Sequence, residues 1–203
     1  MKLKDLKTSV KLGGTFGFLV IVFLLSGGYN LLKMMDLGGL TEKMYRHPLT
    51  VSNTVRDIQI EIISINLSMK DIANATEKSQ IRGAQQEIMA HEMAVTEYFK
   101  IVDERFLGDK KDVEAAKKQY EEWKKTRNDI VKLYRKDQKE EAEKLGTEKG
   151  IPQAEALEEK IKFLVNFADE KGKAFNQNAR KTQTLTLIIN GSIMVLLIVV
   201  TVF

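Results

Sequence analysis

The strongest constraint on this chain lies at its end. Residues 182–203 read Thr-Gln-Thr-Leu-Thr-Leu-Ile-Ile-Asn-Gly-Ser-Ile-Met-Val-Leu-Leu-Ile-Val-Val-Thr-Val-Phe, without one charged side chain. As an α-helix rising ~1.5 Å per residue, these 22 residues cover roughly 33 Å, the thickness of one hydrocarbon core. One Asp or Lys at mid-span would add about 2.5–3.5 kcal/mol to the cost of insertion. The sequence upstream therefore reads as a chain that leaves through one membrane helix and returns through this one. Asn190, Gly191 and Ser192 are the small or polar residues at mid-span, a group that favours close helix packing over an ion path.

The outward crossing is found at residues 12–32, an uncharged run that follows Lys2, Lys4, Lys7 and Lys11. A cleavable signal peptide competes for this segment, with Ser26-Gly27-Gly28 as its cleavage site. The run is longer than the 7–15 apolar residues of a signal core, which favours a retained span. Gly13 and Gly17 form a GxxxG within it, compatible with close helix contact. The lysines place the N-terminus in the cytoplasm and residues 33–181 outside. Arg180 and Lys181 argue weakly the other way, after a long translocated segment where that rule loses force. The expected organisation is a basic cytoplasmic tail at 1–11, a first transmembrane helix at 12–32, an extracytoplasmic domain at 33–181 and a second transmembrane helix at 182–203. On this reading the protein sits multi-pass in a bacterial inner membrane, and the sequence stops before any output domain.

Charge looks at first like a nucleic-acid signal, since the net charge is +4 and the sequence pI about 9.0. Its location removes that reading. Residues 33–181 hold 28 of the 32 basic and 27 of the 28 acidic side chains, which is a mixed, solvated surface and no nucleic-acid footprint. Cysteine is absent, so disulfides, CxxC redox chemistry and thiolate zinc sites are excluded.

Between the spans the apolar residues repeat every ~3.5 positions, and the spacing predicts four helices. The first ends near Thr76 and carries Val51, Val55, Ile58, Ile62, Ile65, Met69 and Ile72. The second, about 79–107, carries Ile81, Ile88, Val95, Phe99, Val102 and Phe106 and stops at Gly108. The third, about 110–145, repeats Val113, Ala116, Tyr120, Trp123, Arg127, Ile130 and Tyr134. Gly146 and Gly150 are then expected to break the chain, with Pro152 in the first turn of the fourth helix. That helix carries Leu157, Ile161, Leu164, Ala168 and Phe175 and is expected to run on into 182–203. Long helices with short connections give an all-α, antiparallel up-down-up-down four-helix bundle between two transmembrane helices. Pro48 is expected to kink the first helix, because it removes one hydrogen bond and crowds the Met44 carbonyl.

Helix one has a second apolar face. Leu49, Ile60, Ile63 and Leu67 lie about 140–200° from the core stripe at ~100° per residue. A monomeric bundle needs only one stripe, so these four are the candidate interface of an isologous homodimer. Asn53, Arg56, Lys70 and Asn74 lie on or beside that face. They are the candidate ligand-binding residues, for a small anion or polar molecule.

Catalytic chemistry finds no footing. His47 and His91 are the only histidines. His91-Glu92 begins an HExxH pattern but has Val95 where the second ligand belongs, and Ile88 stands where a di-iron Glu-x-x-His pair needs Glu. His91 reads as an edge histidine of helix two, and His47 as structural beside Pro48. No cofactor, metal or catalytic residue is expected, and the chain reads as a non-enzyme.

The stretch Tyr45-Arg46-His47-Pro48-Leu49-Thr50-Val51-Ser52-Asn53, followed by Ser68-Met69-Lys70-Asp71, resembles the first ectodomain helix of the four-helix-bundle sensor domain of bacterial methyl-accepting chemotaxis receptors. The layout of basic start, span, helical loop and span is similar over essentially the whole chain. The resemblance implies a periplasmic sensor, a parallel homodimer, and signalling by a small shift of helix four and the second span. The partner would be a small-molecule ligand or a periplasmic binding protein. Relatives that sense aspartate or serine clamp the ligand carboxylate with helix-one arginines, and the corresponding stretch here offers Asn66, Lys70 and Asn74 instead. The competing function is a membrane-anchored structural or protein-interaction bundle that transmits nothing.

Overall fold

A computed structural model describes residues 8–202; residues 1–7 of the basic tail and Phe203 lie outside the described residues. In chain order the helices are α1 (Thr8–Met44), α2 (Thr50–Asn74), α3 (Lys78–Arg105), α4 (Lys110–Arg135), α5 (Lys139–Leu145) and α6 (Ile151–Val202), with π turns at Tyr45–Leu49 and Gly146–Gly150. No strand occurs among the described residues. The chain divides into two compact units, residues 44–173 and residues 1–43 with 174–203.

The first unit is an all-α bundle. Its four antiparallel members are α2, α3, α4 and the stretch from α5 through the second π turn into α6. The heptad residues of the sequence are its core: Val55, Ile58 and Ile65 on α2, Val95 and Val102 on α3, Val113 and Ala116 on α4, and Leu157 and Leu164 on α6 are all essentially inaccessible to solvent. Burial of these aliphatic faces stabilises the bundle by about 1.5–3 kcal/mol for each large side chain. Phe99, Tyr120 and Trp123 extend the core as a tilted aromatic row, with centroids 5.9 and 6.1 Å apart.

Caps close the two tight connections. Glu77 and Gln80 form a capping box at the start of α3, the Gln80 side-chain oxygen accepting from the Glu77 amide at 3.1 Å. Asp109 accepts from the Lys111 amide at 3.0 Å and starts α4. Each satisfies an amide that the first helical turn leaves unpaired. Gly108 precedes that cap for a steric reason. A Cβ there would meet the Phe106 ring at 2.5 Å and the Phe167 ring at 2.9 Å.

The third connection falls elsewhere than the sequence reading placed it. Helix three stops at Arg135, and the chain reverses over Lys136–Gln138, not at Gly146. Asp137 takes the left-handed conformation, with φ 61°. The Gln138 amide donates to the Leu133 carbonyl at 3.0 Å and the Asp137 amide to the Tyr134 carbonyl at 3.1 Å. This is the Schellman pattern with aspartate in the position that glycine usually fills. Gly146 and Gly150 do not break the chain. They bracket a π turn inside helix four, and a Cβ on Gly150 would press on Ile130 Cδ1 at 3.2 Å. The missing side chain of Gly150 lets helix four approach helix three, and Pro152 lies within the continuing helix.

Pro48 also produces a π turn, at Tyr45–Leu49. The wider turn accommodates a ring with no amide to donate. The Thr50 hydroxyl donates to the Tyr45 carbonyl at 2.7 Å, satisfying an acceptor at the irregular turn.

In the second unit, described over 8–43 and 174–202, two helices are long and apolar enough to cross a membrane. Side chains such as Phe23, Leu24, Leu187 and Val195 stand exposed, the surface that lipid would cover. Asn30 and Asn190 pair reciprocally, Asn30 Nδ2 donating to Asn190 Oδ1 at 3.1 Å and Asn190 Nδ2 to Asn30 Oδ1 at 2.7 Å. Asn190 is thus used in helix contact.

Candidate functional site

Within the bundle, α2, α4 and the start of helix four enclose a groove of about 440 Å³. Trp123, Arg127, Ile130 and Tyr134 form its floor from α4, at the i, i+4, i+7, i+11 spacing that keeps side chains on one helix face. Asn66, Met69, Lys70 and Ala73 supply one wall. Ala142, Glu143, Gly146, Thr147 and Ala154 supply the other. Gly150 shapes the groove because it brings that wall close to Ile130 with no side chain of its own. A wider depression of about 640 Å³ at Asp137–Glu141 and Lys144 is walled only by polar and charged side chains and lacks an apolar floor.

Arg127 sets the chemistry. It is the bulkiest of the fully buried side chains and only 2% exposed. Its Nη2 donates to a Glu92 carboxylate oxygen, and the other Glu92 oxygen takes Lys124 Nζ at 3.0 Å. The guanidinium carbon stands 4.8 Å from the centre of the Trp123 ring, a cation–π stack. Burial pushes the Arg127 pKa down to about 10, which leaves it charged at neutral pH. Its Nε and Nη1 have no acceptor in the protein. Buried N–H groups are almost always paired, so two free donors on one buried cation are the most informative polar feature of the molecule. Tyr134, also on the floor, has its phenol pKa raised by burial and by the nearby Glu143 carboxylate.

Of the four ligand-binding residues expected from the sequence, Lys70 lines the groove. Arg56 does not. Its Nη2 bonds Asp169 Oδ2 at 2.8 Å and its Nη1 bonds Ser52 Oγ at 2.6 Å, while Ser52 Oγ donates to Asp169 Oδ1 at 2.6 Å. The network ties α2 to α6 and answers the Arg56 charge. Asn53 is exposed on α2, and Asn74 is its exposed last residue. Leu49, Ile60, Ile63 and Leu67 are 39%, 58%, 53% and 55% exposed, an apolar row away from the core.

The histidines belong to the scaffold. His91 Nδ1 lies 2.5 Å from Glu61 Oε2, and His47 Nδ1 lies 3.2 Å from the Arg105 carbonyl oxygen. Among the described residues no group of three or more His, Cys, Asp or Glu side chains is placed to hold a metal. Sequence reasoning counted Arg127 as one more member of the helix-three repeat. The available signal was a cation at an apolar heptad position, which only a partner or a ligand makes tolerable.

A family model described as a four helix bundle sensory module for signal transduction matches residues 5–183. No curated protein and no solved structure matches the chain.

Proposed function

The chain belongs to the four helix bundle sensory modules for signal transduction, and on that premise we propose that it is the sensory and transmembrane portion of a chemotaxis-type receptor. The extracytoplasmic bundle takes up a small molecule, and occupancy shifts helix four and the second span. Two copies pair through Leu49, Ile60, Ile63 and Leu67 in a cell membrane. The observation that carries this reading is the length of α6. Its 52 residues, Ile151–Val202, include the core positions Leu157 and Leu164 and the apolar segment from 182 onward in one unbroken helix. A packed helix has two discrete positions more readily than a continuous range, and shifts of ~1–2 Å switch such interfaces. Ligand drives the change only through different affinity for the two positions.

The Ser52–Arg56–Asp169 network offers the test, because helix four cannot slide past α2 without straining it. The chain is joined at residue 203 to a cytoplasmic kinase-controlling domain, and basal kinase output is read with Asp169→Asn and Arg56→Ala. Both variants are expected to shift the output, and folded variants with unchanged output would refute the helix-shift mechanism. Single cysteines at Ile60, Ile63 and Leu67 are expected to crosslink two copies, whereas cysteines at the buried Ile58 and Ile62 are not. Equal crosslinking in both sets would rule out this interface.

A further inference from the structure

We propose that the groove floored by Arg127 is a ligand site contained in a single protomer, and that its ligand is a small organic monocarboxylate with an apolar body. The proposal rests on the sensory reading above and names the class of molecule sensed. Arg127 donates through Nη2 to Glu92 and keeps Nε and Nη1 free. A carboxylate accepts a charge-assisted hydrogen bond from such a buried guanidinium and neutralises it, and arginine is the preferred partner of planar anions.

Charge selects the valence. The groove is lined by Lys70 and Arg127 against Glu143, and Glu92 beneath it is matched by Lys124. One positive charge is therefore left for the ligand, which suits a monoanion and repels a second negative group through Glu143. The remainder of the lining is apolar or small, with Met69, Trp123, Ile130 and Ala154 facing the space. An aliphatic or aromatic body buries there, whereas a polyhydroxylated one finds few partners. Helix one, helix three and helix four all contribute, so occupancy bears directly on the position of helix four against the other two.

Trp123 is the sole tryptophan of the chain and stacks on Arg127, so its fluorescence reports this site alone. The full chain in lipid nanodiscs is titrated with hexanoate, with hexanol and inorganic phosphate as controls. Hexanoate is expected to give a saturable change in Trp123 emission, and hexanol and phosphate none. Arg127→Met is expected to abolish the change. Ala73→Phe fills the groove from an exposed position on α2 without touching the Arg127 network. It is expected to weaken hexanoate about tenfold or more, with helicity at 222 nm unchanged. No saturable change with hexanoate would overturn the assignment. So would an equal response to hexanol or to phosphate, or undiminished affinity in a folded Ala73→Phe chain. Such a failure would leave the sensory reading standing, because basal output of the Asp169→Asn chimera tests that reading without any ligand.

Discussion

Glu92 and Arg127 form a pair whose members should differ sharply when each is removed alone. Glu92→Gln takes away the only carboxylate, among the described residues, bonded to a guanidinium that is 2% exposed. Leaving a buried charge without its partner costs about 3–5 kcal/mol. Lys124, 29% exposed, can turn towards water and adds little to that loss. Arg127→Met has a different outcome. It deletes the buried cation together with its two unpaired nitrogen donors, keeps apolar volume on the floor, and leaves Glu92 with Lys124 at 3.0 Å. The unpaired donors carry a desolvation penalty of about 1–3 kcal/mol each, and its relief offsets the lost hydrogen bond, so the net change should be below ~1 kcal/mol. For a bundle of this size 1 kcal/mol moves Tm by roughly 3–5 °C. Glu92→Gln should therefore lower Tm by roughly 10–20 °C and Arg127→Met by less than about 5 °C. Thermal unfolding in detergent, followed by Trp123 emission, reads this without interference from the transmembrane helices. Adding Arg127→Met to Glu92→Gln should recover most of the loss. If Arg127→Met proves as damaging as Glu92→Gln, the free donors are not a liability and the reasoning fails.

Two further expectations follow from single buried groups. The Tyr120 hydroxyl is buried without a partner, and burial foremost, then Glu121, raises its pKa above the ordinary value of 10.0. A raised folded-state pKa gives stability that is complete below the unfolded-state value and is lost as pH climbs through the folded one. Tyr120→Phe should thus gain about 1 kcal/mol at pH 7 and should lose less than the parent as pH rises above 10, both measured by denaturant unfolding; a parent-like alkaline loss in the variant would assign that loss to other groups. Gly108→Ala should cost about 1–3 kcal/mol, because its Cβ needs space that Phe106 and Phe167 now fill; an unchanged Tm would mean the two rings move aside freely.

The bundle was legible in the sequence because its core obeys one period. Val55, Ile58, Ile62 and Ile65 repeat at heptad spacing and are buried in that order, and the outlying row Ile60, Ile63 and Leu67 is left exposed as the same geometry requires. The last reversal was misplaced because local composition pointed at the wrong residues. Gly146 and Gly150 carry the signature of a helix breaker, yet both lie inside a continuing helix, and the missing side chain of Gly150 serves packing against Ile130. Asp137 carries no strong turn signature and adopts the left-handed conformation all the same, held by two backbone hydrogen bonds that only the finished helix end provides. The site was less legible than the fold. Arg56 looked like an available cation, and its partner Asp169 is 113 residues away in the chain. Arg127 looked like core, and only tertiary structure reveals two donors without acceptors beside an open groove. Lys70 lines the groove because it lies on the accessible side of α2, where helical phase alone places it.

The paired amides of the second unit bear on the order in which the chain is made. Asn190 follows Asn30 by 160 residues. At synthesis rates of ~5–20 residues per second that interval lasts roughly 8–30 s. During that interval the first apolar helix must remain in lipid with an amide whose eventual partner has not yet been translated. Asn30 has a second partner of its own, since Nδ2 also donates to the Ser26 carbonyl one turn back at 2.9 Å. The early span thus carries a local hydrogen bond that shields its amide while it waits. The late span needs none, because Asn30 is already in place when Asn190 arrives.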